Sequence, residues 1–582
     1  MASIVALRAM LFRRRKSDSQ IMTQIEEPEI IPGTDIIFAG QDNGENLATN
    51  DVVLIPQPTS SADDPLNWNP AWKFTLIFNQ FVFVFVSILT PMAIAPMTLI
   101  FEAEFRKTLP EVNMLFGAAA ITLGYANFFI VPAANAWGRR PVVLVCGLIC
   151  ILANVWQALI TSYSSFLGAR IISGMGAAAN ESIMPMVIAD LLFLHQRASS
   201  MALYFWAYFL GLFFGPIISG AIAAQISWRW FFWICTILQG ASFLFLLFAH
   251  PETKYDRPAL KTATSTPTTT DGRSSNTTME KQTEGMISSS NSSTRTRPQI
   301  LQPPPAVTSS QHIANGYPSR AQFYLLPLRT RLGYGPTYDD DQTRREKFIE
   351  ILVRDVLSPL KILFCYPIVL WASLATGFAA NSLLALNLTQ AQVFGAPPYL
   401  FAPDQIGYAN FAFAAGAAVA LITAGPLSDG IALRRARARG GVLEAEMRLP
   451  ALLPYIAANL AGMVVAAVGY QRAWPWEAIV LVGYSLVGLQ VVGIPAIAVA
   501  YAVDSYKALP GEIMIAATIV KNTFGFAMIF FFNDWAAQSG YVSPVLMMMG
   551  LTFGSSILGV CVFVPYGKYF RRLTKDSKLH YL

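Results

Sequence analysis

Twelve apolar runs, each long enough to cross a bilayer as a helix, leave this chain few ways to fold. They lie at about 74–98, 113–134, 141–161, 166–189, 199–225 and 230–249, then 359–386, 404–427, 450–470, 475–503, 512–533 and 543–566. A span needs roughly 20 mostly apolar residues, because each helical residue advances only about 1.5 Å through some 30 Å of hydrocarbon. Backbone groups in lipid must be bonded internally, and the even alternation of a barrel strand is absent, so these runs are helices. Composition agrees. Charged residues make up 13% of the chain, whereas a soluble domain carries about 25%. The sequence predicts an all-α membrane protein.

Charge sets the expected orientation. Among the short loops, one side carries Arg139, Arg140, Arg197, Arg434, Arg435, Arg437, Arg439, Arg448 and Lys507. The other carries Arg106, Lys107, Arg229 and Arg472, mostly beside acidic residues. The positive-inside rule then places both termini in the cytoplasm, as an even number of spans requires. The apolar run from Ile4 to Phe12 is short, is interrupted by Arg8 and precedes its basic cluster, so it reads as part of a tail rather than a secretory signal. The net charge of +6 is explained by this topology and needs no nucleic-acid partner. The five cysteines have no metal-type spacing and read as packing residues.

The expected organisation is a partly disordered N-terminal tail (1–70), a six-helix bundle (71–250), a disordered cytoplasmic linker (251–358), a second six-helix bundle (359–567) and a C-terminal tail (568–582). Residues 262–310 are rich in Ser, Thr, Pro, Gln and Asn and lack the apolar surface to fold. The two bundles echo each other. After the second span come Asn135, Gly138, Arg139 and Arg140; after the eighth come Gly425, Asp429, Arg434 and Arg435. Asp190 and Arg197 follow the fourth span as Asp504 and Lys507 follow the tenth. Pseudo-symmetric six-span halves around a central cavity are a transporter architecture.

At this point the chain resembles the major facilitator superfamily, and within it the fungal twelve-span drug:proton antiporter branch. The segment Asp63-Asp64-Pro65-Leu66-Asn67-Trp68 resembles the one that precedes the first span in fungal members. The loop after the second span is similar to the G-x-L-x-D-x-x-G-R-R signature at Gly138, Arg139 and Arg140, with Val131 and Asn135 where the family has Gly and an acid. The copy in the second half keeps Gly425, Leu427 and Asp429. The resemblance implies a charged clasp that releases during conformational change. Positive charge that only sets topology, with no switch, is the alternative.

The fourth span resembles the L-x-x-R-x-x-x-G-x-G motif at Leu167, Arg170, Gly174 and Gly176, and the family ties that Arg to proton coupling. Glu181 follows eleven residues on, within about 20° of the same helical face. A carboxylate deep in a span is costly and by default functional; the alternative is a buried pair with a polar group on a neighbouring span. The fifth span resembles the antiporter motif at Gly211, Gly215, Pro216 and Gly220, with Ser219 replacing one Gly. Lys521 sits deep in the eleventh span and needs a partner elsewhere or a wet cavity. Asn79, Gln80, Asn180, Asn381, Tyr484 and Gln490 are candidates for solute contact, with helix–helix hydrogen bonding the alternative.

No phosphate cradle, catalytic triad, metal constellation or cofactor motif is present in the sequence, which argues against an enzyme. The expectation is a monomeric secondary transporter with a small-molecule substrate and protons as partners, exporting a drug, toxin or secondary metabolite across the plasma membrane; the vacuolar membrane is the alternative. Uptake of organic cations or polyamines is a second reading. Pro251-Glu252-Thr253-Lys254 invites a sugar-porter comparison, which the antiporter-type fifth span opposes. A non-transporting sensor is a third.

Overall fold

The computed structural model describes residues 33–36, 54, 56–61, 63–255, 316–323, 356–439, 442–506 and 509–574. Within them are twelve helices long and apolar enough to span a membrane. The first half comprises α1 (Pro70–Phe105), α2 (Leu109–Trp137), α3 (Arg139–Leu159), α4 (Tyr163–Leu191), α5 (Leu194–Gln225) and α6 (Trp228–Ala249). The second comprises α7 (Pro367–Gly395), α8 (Pro403–Ala438), α9 (Ala445–Arg472), α10 (Ala478–Ser505), α11 (Pro510–Ile529) and α12 (Val542–Leu573). Large apolar side chains such as Phe248, Ile237, Leu152, Ile422 and Leu481 stand exposed on the outside, a surface suited to lipid rather than water.

The polar ends of these helices show why they start where they do. Asn69 caps α1 by accepting from the Ala71 N–H, with Pro70 at the first helical position. Thr108 and Glu111 form a capping box at the start of α2. The seventh span departs from its expected bounds of 359–386. Pro367 disfavours helix at the preceding residue, and Tyr366 is extended (φ −114°, ψ 97°). A separate short helix, Val356–Cys365, therefore ends there, and α7 starts afresh and runs to Gly395. In the stretch 430–449, expected as a loop, α8 continues to Ala438 because nothing breaks it.

Two of the described segments outside the bundles pair with distant parts of the chain. β1 (Thr34–Ile36), from the N-terminal tail, pairs antiparallel with β2 (Val442–Glu444), between α8 and α9. Residues 316–323, inside the linker expected to be disordered, pack on the first half. Gly316 exchanges backbone hydrogen bonds with Asn67 and Asn69, and the Glu252 N–H donates to the Gln322 carbonyl at 2.8 Å. Phe323 lies between Trp72 and the Arg140 guanidinium. These few residues bring apolar and hydrogen-bonding groups that the Ser/Thr/Pro-rich stretch lacks. Residues 262–310 and Lys507 lie outside the described residues.

The halves meet along two seams. On one, α11 packs against α2 and α4; on the other, α5 packs against α8 and α10. The first depends on small residues in α2, since a Cβ on Gly117 would stand 2.9 Å from Phe526 and one on Gly124 the same distance from Asn522. On the second, a Cβ on Gly220 would come within 2.6 Å of the Pro403 carbonyl, and Phe213 stacks on Phe413 at 5.7 Å. The glycines expected to smooth the fifth span divide their work. Gly211 and Gly215 admit the backbone of α1, while Gly220 and the Pro216 carbonyl face α8.

Candidate functional site

The centre of the molecule is organised by an interruption in α4. The helix runs as Tyr163–Ala177 and Ala179–Leu191, with a turn at Ala178. Pro185 lacks an N–H, so the carbonyl four residues earlier, that of Glu181, loses its ladder partner; the Tyr204 hydroxyl lies 3.5 Å from it. The Glu181 side chain is fully buried. Its carboxylate accepts from the Lys521 ammonium and, at 3.3 Å, from the Asn522 amide, both on α11. Lys521 also donates to the Tyr208 hydroxyl at 2.8 Å and sits 4.2 Å from the centre of that ring. The two intramembrane charges that the sequence left separate are partners. They join the two halves.

Arg170 is not part of this pair. Fully buried, it donates to the carbonyls of Leu115 (3.0 Å), Thr90 (3.0 Å) and Pro91 (2.9 Å) and to the Gln157 side chain (3.3 Å). The first segment of α1 ends at Met92, before a tight turn at Ala95–Met97. A helix end leaves its last carbonyls without partners, and Arg170 takes two of them. In this arrangement it secures the break in α1 and makes no hydrogen bond to Glu181.

The polar candidates for solute contact divide similarly. Asn381 bonds to the Lys521 carbonyl at 3.0 Å and lines the cavity beside Lys521. Gln490 bonds to Ser382 (2.7 Å), Asn180 to Ser87 (3.0 Å) and Asn79 to the Phe245 carbonyl (3.1 Å), each tying neighbouring helices of its own half. The Tyr484 hydroxyl meets that of Tyr470, and its ring stacks on Phe413 at 4.1 Å. Gln80 is buried with neither amide atom hydrogen-bonded. The cavities next to Lys521 measure about 50 and 20 Å³. They have room for a few waters and not for a solute needing several hundred Å³, so the space beside Lys521 is closed to solute in this arrangement.

At the face carrying the described chain ends, each half has its own charged cluster. In the first, Arg139 pairs with Asp190 at 3.2 Å and lies 3.5 Å from the Asn135 side chain. The Glu252 carboxylate accepts from the backbone N–H groups of Arg139 (2.8 Å) and Arg140 (3.1 Å), at the start of α3. Arg140 turns to the carbonyls of His250 and Leu247. Arg197 reaches the Leu192 and Ala189 carbonyls. His250, buried just beyond α6, is held below the ordinary histidine pKa, chiefly by desolvation. In the second half, buried Arg448 lies between Asp429 and Asp504, with Asp504 at 2.7 Å. Gly425 is buried in α8. Arg571 and Glu446 form a buried two-point pair, both contacts at 2.7 Å.

Gly138 must be glycine. Its φ is +102° (ψ 166°), and a Cβ there would stand 2.2 Å from the Glu252 carboxylate. Gly138→Ala is expected to cost about 1–3 kcal/mol of strain and to push Glu252 off the start of α3. Thermal unfolding of the purified variant measures it.

The family model described as Major Facilitator Superfamily matches residues 76–528. The chain belongs to this superfamily. Similar proteins include Protein HOL1 of Saccharomyces cerevisiae, 27% identical over 95% of this chain and 97% of its own length. An MFS-type transporter of Schizosaccharomyces pombe is 26% identical over 88% of each chain, and the MFS-type transporter tndD of Aspergillus flavipes 24% identical over 90% of this chain and 86% of its own. Among solved structures, the proton:xylose symporter XylE bound to 6-bromo-6-deoxy-D-glucose covers 84% of this chain and 96% of its own, with a TM-score of 0.52 at 14% identity. The fold is that of the superfamily, and the chain is a secondary transporter of small molecules rather than an enzyme.

For a superfamily member whose first-half signature has Asn135 in place of an acid, Glu252 is the informative residue. It supplies a carboxylate to the start of α3 from the chain just beyond α6. The Pro-Glu-Thr-Lys sequence was the available signal, and Lys254 of that sequence donates to the Asn135 carbonyl. Glu446 and Arg571 had no sequence signal beyond being charges at helix ends.

Proposed function

We propose that this transporter couples proton movement to export of a small organic compound, with Glu181 as the proton-exchanging group and the chain-terminal face in the cytoplasm. The observation that carries the reading is the Glu181–Lys521 pair across the seam between the halves. Both groups are removed from bulk water, and in such low-dielectric surroundings separating opposite charges is costly. A proton delivered to Glu181 removes the negative partner, frees Lys521 and loosens the α4–α11 seam. Loss of the proton rebuilds it. Alternating access needs such a reversible tie, and a tie made by one carboxylate is read directly by protons.

The antiporter-type fifth helix supports the outward direction. Its small residues face both α1 and α8, a packing suited to close contact between halves without a leak. Proteoliposomes with an imposed pH gradient test the reading. Protons moving down their gradient should drive a hydrophobic compound or metabolite the opposite way. Accumulation in the same direction as the protons supports the symporter reading, and flux indifferent to pH overturns coupling.

A further inference from the structure

We infer that Lys521 carries protons between water and Glu181, so that the ammonium group is a relay as well as a partner in the pair. The inference rests on the reading of Glu181 as the proton-exchanging group and names the route to it. Glu181 is 0% exposed and lines neither of the two cavities beside the pair. Lys521 lines both, and its side chain is 13% exposed. Water entering either cavity therefore meets Lys521 before the carboxylate.

The two cavities lie on opposite sides of Lys521 along α11. The smaller, about 20 Å³, is lined by Met514 and Thr518, which precede Lys521, and by Tyr204 and Phe205 of α5. The larger, about 50 Å³, is lined by Asn522 and Gly525, which follow Lys521, and by Leu212 further along α5. Both helices start from the face with the charged clusters, so the smaller cavity lies toward that face and the larger toward the opposite one. Tyr208, Phe209 and Lys521 line both and form the wall between them. Each cavity has room for at least one water. Phe116 and Leu384 line the larger cavity and also the next chamber toward its face.

The transfer balances with the two groups present. As an Nζ–H bond of Lys521 breaks, an O–H bond forms on Glu181, and the electron pair stays on the nitrogen. That pair takes a proton from a hydronium ion in the larger cavity and leaves water there. One proton has then moved from the cavity to Glu181, with Lys521 charged again and its partner neutral. The reverse steps into the smaller cavity discharge the proton toward the other face. Asn522 also bonds to Glu181 and lines the larger cavity, but its amide nitrogen only donates and takes up no proton. Besides Glu181, the titratable groups facing Lys521 are Tyr204 and Tyr208 of α5. The lining from α1, α2, α7 and α10 carries none among the described residues.

The test is infrared difference spectroscopy of the full chain in oriented proteoliposomes, after a drop in pH on the face opposite the charged clusters. A protonated-carboxyl band should rise in the native protein and be missing in Glu181→Gln. Lys521→Arg keeps the positive charge, but a guanidinium does not release a proton. In that variant, shown to be folded by thermal unfolding, the band should rise about a hundredfold more slowly, the scale of losing a positioned proton-transfer group. Ala120→Leu, which fills the larger cavity and leaves the pair in place, should also slow the rise, and it serves where the arginine variant does not fold. Native kinetics in either folded variant overturns the relay and leaves the coupling reading intact. Native kinetics in Lys521→Arg with a slow rise in Tyr208→Phe gives the relay to the phenol. Absence of a Glu181 band in the native protein sinks the coupling reading, and the relay with it.

Discussion

Glu181→Gln should abolish flux driven by a pH gradient while leaving a folded protein. Gln keeps the shape and an oxygen acceptor for Lys521 and Asn522, but it cannot take up or release a proton. Exchange of labelled for unlabelled solute, which needs no net proton movement, should persist at a reduced rate. Stability should fall, because losing one partner of a buried pair typically costs about 3–5 kcal/mol, and the retained amide softens the loss. The decisive comparison is the double variant Glu181→Gln with Lys521→Met. With both charges gone, no buried ion is left uncompensated, so thermal stability should recover toward that of the native protein. Proton-driven flux should not recover. If it does, the pair is a fastening and another group carries the proton. Tyr208→Phe sharpens the point. It removes the hydroxyl 2.8 Å from Lys521 but keeps the ring, and so should weaken the tie without removing the proton site.

The pair also shows where sequence reasoning stops. That Glu181 and Lys521 are both costly inside a span follows from the chain alone. That they are partners does not, because it depends on the rotation of α4 and α11 about their axes. Pro185 within α4 and the turn at Ala178 add local irregularities that periodicity does not encode. Arg170 and Glu181 have separate partners: Arg170 bonds to carbonyls at the break in α1, while Glu181 meets α11. The spans themselves were legible because length and apolarity are local properties. Their bounds failed where one residue overrode the pattern, as Pro367 does at the start of α7. Asn79, Asn180 and Gln490 are polar residues whose partners lie on other helices, so periodicity could not tell a helix–helix bond from a solute contact.

Arg448→Met should be the most destabilising of the cluster substitutions. Arg448 is 3% exposed and lies between Asp429 on α8 and Asp504 on α10. Removing it leaves two carboxylates near each other with their shared cation gone, a loss of about 3–5 kcal/mol. Adding Asp429→Asn and Asp504→Asn to the same protein should restore much of the loss, because no uncompensated charge then remains. Arg139→Met should cost less. Its ion pair with Asp190 is more exposed to solvent, and Glu252 bonds to backbone N–H groups that the substitution leaves in place. Unfolding temperatures of the three proteins in one detergent give the ordering directly. Repeating the Arg448→Met measurement in each arrangement of the transporter decides between two roles. Arg139, Asp190 and Glu252 all belong to the first half, and Asp429, Arg448 and Asp504 all belong to the second. Each cluster therefore ties helices within its own half, unlike a clasp that opens as the halves part. A fastening of that kind predicts that Arg448→Met lowers stability equally whether the transporter is held in an inward-open or an outward-open arrangement. A releasing clasp predicts a loss confined to the arrangement in which the clasp is shut.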